Sequence, residues 1–385
     1  MYENFQITAL GSKPGHAFEN PRVIGVSKIL LLPMYSTDIT IFDWMTETLT
    51  TLGSVAYSGS TTDALLGTIT STGSDGKTYI APRRANRFYR ITPAMVLEEF
   101  GSPISSEDLD LFESCVYYDG CIYYIPFVHN YLVKYNIASD TWDYTFAPAV
   151  GCFKTFMLDG QYLYLAPYQS TLNIVRINLA TGSVVNVGSP LPSGFQCRVG
   201  DVGSDGCLYT VDYTSPSVAR LIKIDPVSLD WSYVGPDMGS LSGYLAIRLR
   251  AIGNHIYIFN RDRYTSSTYY GLMRYNVLDE TITSVGGSPP DWRFAYRSDF
   301  HYAGASTALR TGTGQFSVFS FNNPTQPSES VLDLQSITGS YTYILCGDYY
   351  SGKMYAFPRN NEGGTYYRIT NLSTFYNAPI IGASF

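Results

Sequence analysis

Charge is scarce in this chain: Asp, Glu, Lys and Arg make up 15% of its 385 residues, with 25 basic against 32 acidic side chains. The bases are spread along the length rather than gathered into a stripe, so no surface for a nucleic-acid backbone is expected. No apolar run approaches the roughly 20 residues that span a bilayer, and Met1-Tyr-Glu-Asn-Phe-Gln6 has neither the basic start nor the apolar core of a signal peptide. The expectation is a chain that neither inserts into a membrane nor leaves the cell by that route. Six cysteines, Cys115, Cys121, Cys152, Cys197, Cys207 and Cys346, form no CxxC and do not cluster with the four histidines, which argues against a zinc site or a disulfide framework. Also absent are HExxH, GxSxG, a P-loop and a GxGxxG opening a helix. No metal or cofactor is expected.

Tyrosine, by contrast, is abundant. The 34 tyrosines stand beside many Ser, Thr, Gly and Asn, a chemistry suited to contact surfaces because Tyr supplies rigid area and a hydroxyl. Short alternating runs separated by Gly, Pro and Asn, such as Leu158–Pro167, Ile174–Asn178 and Ser183–Val187, read as half-buried antiparallel strands.

The pattern recurs roughly every 40 to 50 residues, the period of a propeller blade. A tyrosine, or its replacement, stands three residues before a proline at Leu30, Tyr79, Tyr123, Tyr164 and Tyr355; Tyr209, Tyr257 and a degenerate copy near Leu309 complete the series. A following strand carries a central base: Arg90, Lys134, Arg176, Lys223, Arg274 and Arg368, replaced by Thr40 in the first copy and Ser320 in the seventh. Each continues into an Asn or Asp turn, an outer strand, a Gly-Ser-Pro loop and an inner strand. The expected fold is therefore all-β: a single domain over residues 1–385, an eight-bladed β-propeller of four-stranded antiparallel blades. Residues 5–10 repeat the outer-strand pattern with no inner strand before them, so the N-terminal strand is expected to close the ring by completing the last blade, leaving 373–385 as a tail.

The Asp-Gly turns, the tyrosines, the tryptophans and the strand order resemble Kelch-type propellers over nearly the whole chain. A proline replaces the Gly-Gly that ends the second Kelch strand, and this looser form, as in Asp119-Gly-Cys-Ile-Tyr-Tyr-Ile-Pro126, is similar to Kelch-like repeats that include bacteriophage virion proteins. The resemblance implies a non-enzymatic, virion-associated binding protein, made in the host cytoplasm, whose partners are a host-surface glycan or protein and other virion proteins. The alternatives are a structural accessory or adaptor of the tail or head, and a carbohydrate-active propeller enzyme with Asp201, Asp299 or Asp348 near the axis.

Binding residues are sought in loops held by a rigid scaffold. The candidates are Arg83, Arg84 and Asn86; Arg261, Asp262, Arg263, Tyr264, Tyr269 and Tyr270 in the longest second-to-third-strand loop; Trp292 and Arg293; and Arg359. Planar rings beside Arg and Asp suit sugars or a protein surface. The repeated third-strand bases read instead as structural pairs between blades, Ser74-Asp-Gly76 and Ser204-Asp-Gly206 as turns, and Lys154, Arg198, Arg248 and Arg250 as channel-wall residues.

Overall fold

The structure is a computed structural model that describes residues 6–12, 18–25, 27–33, 36–57, 65–67, 70–103, 110–149, 153–167, 172–192, 200–215, 218–235, 248–259, 272–285, 301–303, 306–311, 315–320, 328–333, 343–348, 353–358 and 365–370. Every regular element among them is a strand, and the strands form eight four-stranded antiparallel sheets. The first seven sheets, over 18–54, 71–100, 112–148, 153–187, 200–234, 248–285 and 301–333, take their strands in chain order. The eighth combines three strands from 343–370 with Gln6–Ser12, which pairs with Thr365–Thr370.

Burial within each sheet follows the sequence. Outermost strands alternate: in Thr141–Pro148 the half-buried Trp142, Tyr144 and Phe146 interleave with exposed Asp143 and Thr145. Second strands such as Cys121–Pro126 are apolar throughout and buried throughout, as a strand covered on both faces must be. Neighbouring sheets supply the cover. Sheets two and three share Tyr79, Phe88, Phe112, Tyr124 and Tyr135; three and four share Tyr123, Leu132, Leu163 and Ile177; eight and one share Tyr355, Tyr366, Ile29 and Phe42.

The repeated tyrosine and the repeated base are cross-strand partners: Tyr79 with Arg90, Tyr123 with Lys134, Tyr164 with Arg176, Tyr209 with Lys223, Tyr257 with Arg274 and Tyr355 with Arg368. Pairing corrects two expectations. The first sheet places Ile41, not Thr40, opposite Leu30, and the seventh places Val318, not Ser320, opposite Ala308. Both sheets thus hold an apolar pair where the others hold a ring and a cation. The first inner strand is Phe18–Ile24, and the N-terminal strand, expected over 5–10, is Gln6–Ser12 with a bulge between Ala9 and Gly11.

Four of the bases, Arg90, Arg176, Lys223 and Arg368, are matched by a residue of the next sheet. The turn between the third and outermost strands ends on a positive φ at Glu47, Met95, Asp140, Gly182, Leu229 and Glu280, a conformation costly for all but glycine. The acids at these places meet the preceding base: Arg368 bonds both Glu47 oxygens at 2.7 and 2.8 Å, and Lys223 lies 3.9 Å from Glu280. Arg90 reaches Asp140 through Tyr135, donating at 3.1 Å to a hydroxyl that donates onward at 2.8 Å. Where the place is Gly182, Lys134 lies over the rings of Phe146 and Tyr123; where it is Leu229, Arg176 stacks on Tyr162 and donates to the Pro226 carbonyl. Met95 packs on the apolar cluster that contains Ile41.

Inner strands are also stitched together. Ser71, opposite Tyr79, accepts the Tyr117 N–H at 2.8 Å, and Asp201, opposite Tyr209, accepts the Ala251 N–H at 2.9 Å. The two donors are themselves equivalent, since Tyr117 faces Ile122 and Ala251 faces Ile256.

Candidate functional site

Antiparallel order sends every second-to-third and outermost-to-innermost connection to one face of the sheets. The connections 55–70, 101–111, 188–199, 235–247, 260–271 and 286–300 all belong there. The opposite face is turned tightly: Asp119-Gly120 with φ of 44° and 73° between inner strands, and turns in which Asp43, Asn178, Asp225 and Asn276 accept the N–H two residues on.

Much of the described part of the long-connection face lies over sheets two and three. The Leu65 carbonyl accepts the N–H groups of Arg83, Arg84 and Ala85 at 3.0, 3.0 and 3.1 Å, which holds the segment after Ile80 against the returning connection. Both guanidiniums then converge on one carboxylate, Arg83 at 2.5 Å and Arg84 at 2.6 Å from Asp110. Burial pushes the Asp110 carboxyl up, but the two arginines outweigh it and hold it below the usual carboxylate range. Arg83 also lies over Phe127, whose neighbour His129 stacks its ring 5.0 Å from Phe112. Asn86 is tied by its N–H to the Ala56 carbonyl.

Nearer the axis, the inner strands bulge at this face. Phe112 faces Pro126 and Ser114 faces Ile125, so Glu113 is the inserted residue, and it is buried; Lys154 is inserted in the same way between Phe153 and Thr155. Such bulges re-aim side chains. In sheet five the proline position is Asp212, 2% exposed, which accepts the Tyr233 hydroxyl at 2.7 Å and faces Arg220 across the strands; Arg220 stacks on Tyr233. Among the described residues no group of three or more His, Cys, Asp or Glu is placed to hold a metal ion.

No family model matches the chain, and no curated protein matches it. Solved structures do. A virginiamycin B lyase from Staphylococcus aureus is similar with a TM-score of 0.53 at 14% identity, over 94% of this chain and 98% of its own. YCF48 bound to D1 peptide is similar at 0.52 and 9%, over 99% and 98%, and the computationally designed Ika8 protein at 0.58 and 7%, over 93% and 98%. The lyase and YCF48 are β-propeller proteins. The fold of this chain is a β-propeller.

Of the residues singled out in the sequence, the propeller brings Arg83 and Arg84 together on Asp110 and sets Asn86 beside them. Arg261, Asp262, Arg263, Tyr264, Tyr269, Tyr270, Trp292, Arg293 and Arg359 lie outside the described residues, as do Arg198 and Asp299. Asp201 gives its two oxygens to the N–H groups of Val202 and Ala251, a stitch between blades. Asp75 and Asp205 sit in the Ser-Asp-Gly turns and accept the hydroxyls of Tyr79 at 3.0 Å and Tyr209 at 2.7 Å. In blade three, where Asp119 stands at the equivalent place, and in blade eight, where the sequence has Ser351, Tyr123 and Tyr355 donate instead to the next blade, at the Leu179 and Trp44 carbonyls. Cys115 and Cys121, on neighbouring strands of blade three, and Cys207 of blade five are free thiols; burial pushes Cys115 up to about 12 and Cys207 up to about 11, so neither of these two is poised as a nucleophile. Sequence reasoning passed over Asp110, Glu113 and Asp212. The signal for Asp212 was available, since it is a charged residue where the repeat calls for proline.

Proposed function

We infer that the protein is a closed ring of eight Kelch-like blades that binds rather than catalyses, carried on a virion, and that it attaches to a host-surface glycan or protein. The observation that carries the reading is the inequality of the two faces: long, divergent connections on one, tight repeated turns on the other. Variable loops on a rigid scaffold are the usual arrangement of a recognition surface. Closure is supported by the packing of Phe42 on Tyr355 and Phe357, with ring centroids 4.6 and 5.2 Å apart, and by the Arg368–Glu47 contact of the kind seen between other neighbours. A non-catalytic role is supported by Asp201, whose carboxylate is occupied by backbone N–H groups, and by Asp110, neutralised between two arginines. The virion assignment rests on the resemblance of the repeats and on the Tyr-rich, weakly charged composition.

The test is adsorption of purified protein to host cells and to a glycan array. Saturable binding is expected, weakened at least tenfold by Tyr269→Ala with Tyr270→Ala or by Trp292→Ala. Absence of host binding, with copurification only alongside other virion proteins, would replace the reading with a structural accessory. An enzyme acting on the bound sugar is the competing reading, raised by the likeness to a lyase; release of product from a bound glycan would establish it instead.

A further inference from the structure

The second-to-third-strand tips of blades two and three are built on one plan. Leu66 pairs with Pro82 and Phe112 with Pro126, so Leu65 and Leu111 stand at the same place, and the carbonyl of each accepts N–H groups of its tip: Leu65 those of Arg83, Arg84 and Ala85, Leu111 those of Phe127 at 2.8 Å and His129 at 3.4 Å. The Asp110 carbonyl takes the Val128 N–H at 3.0 Å and the Asn130 carbonyl takes the Ala149 N–H at 2.9 Å, so the backbone of 127–130 is held along its length. The side chains at matched places differ in kind. Where blade two has Arg83 and Arg84, both spent on Asp110, blade three has Phe127 and Val128, followed by His129, Asn130 and Tyr131.

The blade-three tip is the less occupied of the two. Val128 and Tyr131, 39% and 36% exposed, are the large exposed apolar side chains of the long-connection face among the described residues, and Tyr131 is the one exposed aromatic ring among them. Its hydroxyl and the exposed Asn130 amide have no partner among the described residues. His129 turns Nδ1 to the Tyr131 backbone, 3.2 Å from its N and 3.0 Å from its O, and lies against Phe112, which fixes the ring and leaves Nε2 without a described partner. The His129 and Tyr131 rings are 6.2 Å apart at 62°. An open phenol, a second ring set across it, an amide that both donates and accepts, and a ring nitrogen suit a sugar: aromatic area for the C–H face of a pyranose, and hydrogen bonds of both senses for its hydroxyls. A backbone already held spends little binding energy on being ordered. The neighbouring bases are engaged, Arg83 and Arg84 by Asp110 and Arg87 by Glu99, so an uncharged sugar fits this seam better than one bearing carboxylate or phosphate.

We propose, on the reading of the long-connection face as a recognition surface, that Tyr131, Asn130 and His129 at the blade-three tip form a subsite for an uncharged hexose or N-acetylhexosamine unit of a glycan. Calorimetric titration with neutral oligosaccharides of these units, and with uronate-bearing ones for contrast, tests it on the full chain and on Tyr131→Ala and Asn130→Ala. Both side chains are exposed, so circular dichroism and the melting midpoint should match those of the natural sequence. The expected result is saturable binding of a neutral oligosaccharide, little changed by salt, weakened about tenfold by Tyr131→Ala and severalfold by Asn130→Ala. Neutral-glycan binding that both variants leave intact overturns the site, and binding confined to uronate-bearing glycans, weakening as salt rises, overturns the ligand class. Adsorption to host cells without binding to any glycan overturns the subsite and leaves the recognition surface standing. A chain that binds neither glycans nor host cells overturns the recognition surface and the subsite together.

Discussion

At the scale of residues, the six positive-φ turn positions separate backbone ease from contact between blades. A non-glycine residue there costs about 1 kcal/mol, and Gly182 avoids the cost where an added Cβ would stand 2.5 Å from the Phe146 carbonyl. Glu47 bears that cost and holds Arg368. Glu47→Gly should therefore lower the unfolding midpoint despite the easier backbone, and Glu47→Gln should lower it by less than about 1 kcal/mol, since the pair is partly exposed. Thermal melts at low and high salt check both, the Gln effect shrinking as salt rises. Asp110 gives a pH prediction. Its folded pKa is depressed, so its contribution is complete above the ordinary carboxylate value of about 4 and is lost as pH falls through the lower folded value. Asp110→Asn should destabilise at neutral pH and flatten the acid limb of the stability curve. An unchanged acid limb would show that the arginine pair does not depend on that charge.

At the scale of elements, the glycine that follows the outermost strand in blades two, four and five answers to the next blade. At Gly101, Gly188 and Gly235 φ is positive, and an added Cβ would lie 2.6 Å from Trp142, 2.6 Å from Trp231 and 2.7 Å from Ile282. Gly188→Ala is expected to cost about 2 kcal/mol or more, through strain and through displacement of Trp231, whose indole N–H donates to the Ser189 carbonyl. Tryptophan fluorescence during denaturation reads both effects. Much of this order was legible in the chain, because the Tyr and base positions, the Asx turns and the Gly-Ser-Pro segments repeat in the one-dimensional pattern. Register in the first blade was not, since Ile39-Thr-Ile-Phe-Asp43 can be threaded with Thr40 or Ile41 in the central place, and only pairing with Leu30 decides it. The role of Arg83 and Arg84 was equally hidden. Their carboxylate lies across an intervening connection, outside any local motif, so two bases in a loop read as candidates for a ligand.

At the scale of the whole molecule, the buried tyrosines act together. Burial raises the phenols of Tyr79, Tyr123, Tyr209 and Tyr257, the last to about 12. Raised pKa values in the folded state mean stability that is complete below the unfolded value of about 10 and is lost as pH rises through the folded values. Tyrosinate absorbance should therefore appear in two stages on alkaline titration, the second coincident with loss of the sheet signal by circular dichroism; a single gradual stage near pH 10 would contradict the burial. Removing residues 1–12 leaves the last blade with three strands and an open edge, and should lower the melting midpoint of the whole propeller rather than of one part.

The match between Arg90, Arg176, Lys223 or Arg368 and the turn of the following blade gives the propeller a grammar of adjacency. Arg368 requires Glu47 and Lys134 tolerates Gly182, so a blade carries half of one agreement and half of the next. Rotating the starting point of the chain, with new ends at the Asp119-Gly120 hairpin, preserves every agreement. Transposing two blades preserves all the folds and breaks the syntax, which makes blade order, and not only blade content, a heritable property of this sequence.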